Sequence, residues 1–323
     1  MSVLIVSRSP EGGLWRWDGS GATAEMVVQA PDTAFALPLP DGRVLTLGGA
    51  EEGRLRLLAR TAAGYAVTAE VATQGGEPCH AAVLPGGRHV VVVNYHLEGS
   101  VLVLALDPEP RVVQRLVLGD PGAGVVVDRQ EAAHPHFALV VDESTVLVSD
   151  LGCDRIRRFA WRDERLEEVG SCATPAGSGP RHLARHGGAV VVSAELSDEV
   201  LAAPLADVLA GDAGWQVAQA SSRSLASARD GGERLTHPGE IVVAPDGRVH
   251  VANRGAGTIG QLVVDGETAR LTWLGEIDAA GVWPQHLLLM NDDLLIAAHD
   301  ADLVVGPRGQ VRVPTPVWLA RGA

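Results

Sequence analysis

The chain has 323 residues, of which 46% are hydrophobic and 20% charged, with a formal net charge of -14 at pH 7. This composition excludes a disordered chain and supplies apolar material for a large core. The acidic balance disfavours binding to nucleic acid or to an anionic membrane surface, but it leaves a small anionic substrate open, because an arginine cluster can sit inside a negative protein.

Residues 1–6 run directly into what reads as a strand, with no basic segment and apolar run ahead of a cleavage site, and no stretch of 18 uncharged apolar residues follows. Cys79, Cys153 and Cys172 have no metal-type spacing and are sparse and odd in number. Reduced thiols in a cytoplasmic protein without a membrane span are therefore expected. Helical patterns are scarce, residues 201–210 being the clearest candidate, with Pro204 inside it.

Elsewhere β-rich runs alternate with Gly, Pro, Asp and Asn turns, an all-β signature. The runs recur as strand, small polar loop, strand. Residues 3–7 lead to 14–17, 44–47 to 55–58, 90–94 to 101–106, 146–150 to 156–161, 190–195 to 200–203, 249–254 to 259–264 and 294–299 to 303–305. Pro40-Asp41-Gly42-Arg43, Pro85-Gly86-Gly87-Arg88 and Pro245-Asp246-Gly247-Arg248 repeat as turns, Pro setting the first corner and Gly accepting the positive φ that follows.

Seven units in 323 residues give a period of about 46, with about four strands each. A small sheet with two apolar faces cannot bury both alone, whereas radial packing buries them. The chain thus reads as one domain over residues 1–323, a seven-bladed β-propeller of four-stranded antiparallel blades, in preference to tandem copies of a β-sandwich. The N-terminal strand, residues 1–7, is expected to close the ring against residues 304–314 in a mixed blade. Residues 119–131 and 218–235 interrupt the period and read as long, functional loops on one face.

The stretch from His134 to Asp150 looks like an inner strand followed by a second strand, with chemistry at its entrance. Pro135 blocks helix there and biases His134 towards extended backbone. In a propeller such entrances meet around one funnel. They read Cys79-His80, His134-Pro135-His136, Gly179-Pro180-Arg181-His182, His237-Pro238-Gly239-Glu240 and Trp283-Pro284-Gln285-His286. The ends of the following strands add Asn94, Asp150, Glu195, Asn253-Arg254 and His299-Asp300 as a second ring. Each of these alone reads equally as a turn cap or blade brace, His182 and Asp150 among them. Together they bring cationic and acid/base groups to one place. His136 stands in register with Arg181 and His80 in this reading, and His134 supports the loop.

His134-Pro135-His136, Ser149-Asp150-Leu151-Gly152-Cys153-Asp154, Gly177-Ser178-Gly179-Pro180-Arg181-His182, Ala194-Glu195-Leu196-Ser197 and Asn253-Arg254 carry a resemblance over nearly the whole chain. The sequence resembles the seven-bladed lactonase family that contains bacterial 6-phosphogluconolactonase and the fungal 3-carboxy-cis,cis-muconate lactonizing enzyme. The resemblance implies an active site of His136, Arg181, Glu195 and Arg254. Two guanidiniums can hold a carboxylate, a phosphate or a developing oxyanion. His136 is the first choice of general base or acid and Glu195 the second. His80, His182, Glu240, His286 and Asp150 are expected substrate contacts. One departure stands out: Gln285 follows Pro284 where the family commonly has an arginine, which bears on phosphate recognition.

The scattered histidines lack a ligand pattern, so no metal and no other cofactor is expected. The expected activity is hydrolysis of a sugar lactone, foremost 6-phosphogluconolactone, by a monomer or weak homo-oligomer acting on a small anionic substrate. The alternatives are a muconate-type lactonizing cycloisomerase and a non-catalytic binding propeller.

Overall fold

Residues 90–93, 146–148 and 190–192 are valine and leucine runs with no solvent exposure. A strand buried on both faces reads as a continuous apolar run rather than as an alternation. Each of these runs lies second from the inside of a four-stranded sheet in the computed structural model. The structure describes residues 2–62, 64–97, 99–222, 236–281 and 283–322.

Seven such antiparallel sheets form the molecule. Their innermost strands are Pro316–Arg321 in blade 1 and Thr33–Pro38, Gly76–Val83, Pro135–Val140, Pro180–His186, Pro238–Val243 and Pro284–Met290 in blades 2 to 7. Each innermost strand packs on the next, and that of blade 7 packs on that of blade 1, so the ring is closed. Between blades, apolar side chains of adjacent sheets merge into shared clusters, such as the one joining Leu45, Leu47 and Leu57 to Val90, Val92 and Leu102. The outermost strands are mostly open to solvent instead: in Arg165–Ala173 only Leu166 and Cys172 are buried.

The N-terminal strand Val3–Ser7 closes the ring in a mixed blade, but its partner differs from the one expected. It pairs with Pro316–Arg321, with Ile5 opposite Leu319. Residues 304–314 instead contribute to the outer strands Leu303–Gly306 and Gly309–Arg312 of blade 7. Val3, Leu4, Ile5 and Val6 are wholly buried, which requires a strand on either side of them. Residues 201–210 also divide differently from the expected helix. Glu199–Pro204 is the third strand of blade 5, and the helix is Leu205–Ala210. Pro204 still faces Ala189 across the ladder. Having no N–H to continue the strand, it ends the strand and starts the helix.

Two registers position the site. Every innermost strand carries an irregularity at its start. A bulge of this kind sets two successive residues against one partner residue. The triplets there are Thr33-Ala34-Phe35, Pro78-Cys79-His80, Pro135-His136-Phe137, Pro180-Arg181-His182, Pro238-Gly239-Glu240, Pro284-Gln285-His286 and Pro316-Val317-Trp318. His136 is therefore in register with Arg181 and Cys79. His80 falls one place on, in register with Phe137 and His182, and not with His136 as the spacing suggested.

The second register lies at the ends of the second strands. Asn94, Asp150, Ala194 and Asn253 sit opposite Pro78, Pro135, Pro180 and Pro238. The polar residues at this place brace the blade. Asn94 donates to the Thr73 carbonyl at 3.0 Å, and Asn253 to the Ala220 carbonyl at 2.7 Å. Asp150 accepts from the His134 amide at 2.9 Å and from Arg157 Nε at 2.8 Å. One residue further along stand Tyr95, Leu151, Glu195 and Arg254, and three of these four turn to the funnel.

Candidate active site

The funnel ends in a cavity of about 500 Å³. The first members of the bulged pairs, His136, Arg181, Cys79 and Gln285, line its wall, with Tyr95, Glu195 and Arg254 from the second-strand ends. The second members close it below. Phe35 packs on His80 and Trp318, His80 stacks on Phe137, and Phe137 meets His182. His286 packs on Trp318 with 3.8 Å between ring centroids. Glu240 completes this layer, its Oε2 lying 3.2 Å from His182 Nδ1 and 2.8 Å from His286 Nε2. The Leu319 amide donates to His286 Nδ1, which fixes the orientation of the ring. Beneath this layer a second, more apolar cavity of about 460 Å³ opens on the other side.

Glu195 is the electrostatic centre. Its side chain is 3% exposed, and both of its oxygens are engaged. Oε1 accepts from Arg129 Nη2 at 2.8 Å. Oε2 accepts from Arg181 Nη1 and pairs with Arg254 Nη2 at 2.9 Å. Burial alone would raise the Glu195 pKa, but Arg254, Arg181 and Arg129 outweigh it and hold the group well below the carboxylate range. A carboxylate held there is a poor proton acceptor at neutral pH. Burial, and then the neighbouring Arg181, bring Arg254 down to about 10. Arg254 stays charged at neutral pH, fixed by a bond from Nε to the His237 carbonyl at 2.9 Å and lying over Trp283. Three guanidiniums thus surround one carboxylate, and the other carboxylates of the lining, Glu77, Asp128 and Glu131, form no ion pair with them, so the excess of positive charge is local to this cluster.

His136 lies in the same wall. Burial, followed by the charge of Arg181, pushes its pKa well below the ordinary imidazole value, so the ring is neutral at pH 7. Its Nδ1 is buried without a hydrogen-bond partner among the described residues. A neutral imidazole lining the cavity beside two guanidiniums can accept a proton next to a place where negative charge is stabilised. His134, by contrast, is fully committed: Nδ1 is 2.9 Å from the Tyr95 carbonyl, Nε2 is 2.9 Å from Glu131, and the ring stacks on Tyr95.

The structure brings His136, Arg181, Glu195 and Arg254 together as the sequence suggested, with His182 and His286 at the floor of the same cavity. His80 and Glu240 line the lower cavity instead. Asp150 is not at the funnel: it is wholly buried in the blade, tied to His134, Cys153 and Arg157, because it holds the bracing register and not the lining one. His299 has the lining register in blade 7, yet it pairs with its neighbour Asp300. Tyr95 and Arg129 are among the lining residues that the repeat pattern does not single out. Tyr95 was legible in principle, since Asn94-Tyr95 repeats the register of Asn253-Arg254. Arg129 lies in the loop that breaks the period, where no register applies.

Comparison with known proteins agrees with this architecture. The family model for the seven-bladed β-propeller lactonases matches residues 41–305. A 6-phosphogluconolactonase of Bacillus subtilis is 29% identical over 231 residues, which is 70% of this chain and 64% of that protein, so less than two thirds of that relative is matched. The periplasmic gluconolactonase of Pseudomonas aeruginosa superposes with a TM-score of 0.85 at 21% identity, covering 100% of this chain and 99% of that one. A virginiamycin B lyase of Staphylococcus aureus shares the fold more distantly, with a TM-score of 0.65 at 11% identity over 94% of each chain. The blade count, the funnel and the span of the family match define the class: this chain belongs to the seven-bladed β-propeller lactonase family.

Proposed function

We propose that this chain hydrolyses a sugar lactone, with 6-phosphogluconolactone the foremost substrate. The observation that carries the reading is the neutral His136 lining one wall of the cavity with Arg181 and Arg254. His136 takes a proton from water, and the resulting hydroxide attacks the lactone carbonyl carbon. Arg181 and Arg254 stabilise the oxyanion of the tetrahedral intermediate. The bond from the carbonyl carbon to the ring oxygen then breaks, and that oxygen receives the proton held by His136. The product is the open hydroxy acid. Glu195 keeps the guanidiniums in place and stays ionised throughout.

The test is a panel of fresh lactones, followed as acid release and corrected for spontaneous hydrolysis. Wild type is expected to open 6-phosphogluconolactone faster than background, and Arg181→Ala to lose most of that rate. Background rates with wild type would defeat the reading. The arginine-bound anion site suits a dicarboxylate equally well, so muconates belong in the same panel as the test of a lactonizing cycloisomerase. A cytoplasmic location is part of the proposal, resting on the free thiols of Cys79, Cys153 and Cys172. Fractionation of cells making the native chain tests it.

A further inference from the structure

We propose that Arg129 is the specificity-determining residue of this site, a loop-borne cation that selects lactones carrying an anionic substituent. The inference rests on the lactonase reading and extends it to the substrate class. Arg129 comes from the segment between the outermost strand of blade 3, Arg111–Val117, and the innermost strand of blade 4. The segment interrupts the seven-fold repeat, as does the connection between blades 5 and 6, of which residues 223–235 lie outside the described residues; it is an addition to the funnel and not part of the ring.

The addition is firmly built. The adjacent Gln130 is fully buried. Its Nε2 donates to the Leu151 carbonyl at 3.0 Å and to Asp154 Oδ1 at 2.8 Å, while its Oε1 accepts from the Val126 amide at 3.1 Å. Pro121 and Ala132 are bridged at the base of the loop, and Asp120 pairs with the buried Arg157 at 2.5 Å. A buried amide satisfied on both of its ends fixes the backbone at the next residue. Arg129 is thus delivered to the cavity preorganised, at 2.8 Å from Glu195 Oε1 and 3.4 Å from the Tyr95 hydroxyl.

Its exposure separates it from the other two cations. The Arg129 side chain is 35% exposed, against 12% for Arg181 and 8% for Arg254. The two sunken guanidiniums serve the oxyanion. Arg129 holds the other oxygen of Glu195 through Nη2, and its Nε and Nη1 have no partner among the described residues, which leaves them for a ligand. Of the carboxylates on the lining only Glu195 pairs with these three guanidiniums, while Glu77, Asp128 and Glu131 do not, so an anion bound at the cluster itself is favoured. A neutral lactone supplies that charge only in the transition state. A lactone with a phosphate or carboxylate at its far end supplies it in the ground state as well, and Arg129 is the cation placed to receive it.

The experiment compares kcat/KM for 6-phosphogluconolactone and unphosphorylated gluconolactone in the full chain, in wild type, R129Q and R129K. In R129Q the ratio of the two values is expected to fall by about 10- to 100-fold, mainly through KM for the phosphorylated lactone, the scale of one lost charge-assisted contact. R129K is expected to recover part of it. Equal losses on both lactones would overturn the proposal, since Arg129 would then act only by positioning Glu195, and so would a ratio that does not change. Binding of inorganic phosphate, read by calorimetry, is the second arm. It is expected to weaken at least about tenfold in R129Q. If wild type opens neither lactone, the lactonase reading fails, and this arm alone decides on Arg129: weakened binding supports it as an anion contact, and unchanged binding refutes it.

Discussion

Asp150 and Glu195 stand at equivalent strand ends in neighbouring blades, yet they are one residue out of register: Asp150 lies opposite Pro135, whereas Ala194, not Glu195, lies opposite Pro180. The offset sends one carboxylate into the blade and the other into the funnel. Asp150→Ala would leave the buried Arg157 without its one wholly buried partner among the described residues and free the His134 amide. Removing one member of a buried ion pair costs about 3–5 kcal/mol. The lower end is expected here, because Arg157 keeps Asp120 and Glu168. Urea unfolding should show the loss, with KM of the folded enzyme unchanged. An unchanged midpoint with a raised KM would return Asp150 to the site.

The same offset shows what sequence can and cannot convey. The valine runs and Pro-Asp-Gly turns made the blades countable, because burial on two faces and the turn dihedrals both leave local marks. Funnel residues were legible to the extent that they repeat: the Pro-X-X triplets announced His136, Arg181 and His182. A bulge, however, changes which residue faces the lumen without changing composition, so spacing alone sets His80 in register with His136 and Asp150 on the lining, where the structure has neither. Arg129 is legible only as part of the long loop 119–131 that breaks the period and not as a site residue, because its position depends on the buried amide of Gln130 and not on the repeat.

Glu195→Gln tests the idea that this residue anchors and does not accept protons. The variant keeps the shape but removes the only charge that the arginines share. Loss of the fixed electrostatic frame is expected to lower kcat by about 10²- to 10³-fold. The three guanidiniums would then lack a counter-charge, so phosphate should raise the melting temperature of the variant more than that of wild type. Equal shifts in both proteins would argue that Glu195 does not balance the cluster.

Stability should fall on the acid side in two stages. His80, His136 and His182 are buried with pKa values held below the ordinary imidazole value, in each case chiefly by burial. Below about pH 6.5 the unfolded chain takes up protons that the folded one refuses, so the stability these groups confer at neutral pH is progressively lost. Glu195 and Glu240 are also depressed, burial being outweighed by their cationic or histidine partners. Their contribution is present above about pH 4.5 and is lost below it. Urea midpoints measured from pH 8 to pH 4 should therefore decline from near 6.5 and steepen near 4.5. A midpoint that rises between pH 7 and pH 5 would contradict the buried neutral histidines.

The rate profile isolates His136. In the proposed mechanism the neutral ring is the active form, so protonation abolishes the reaction. Burial and Arg181 make that protonation harder. The acid limb of kcat/KM should accordingly inflect below about pH 6.5, the value of a free imidazole, with activity level above it. The measurement belongs on unphosphorylated gluconolactone, because a phosphate monoester itself titrates near pH 6 and would add its own limb. His136→Gln should remove the inflection and about 10²- to 10⁴-fold of the rate, the usual scale of general base catalysis. An inflection at or above 6.5 that persists in His136→Gln would assign the base to another group. His237 would then be the next to test, since it lines the same cavity and its pKa is also lowered, first by burial and then by Arg254.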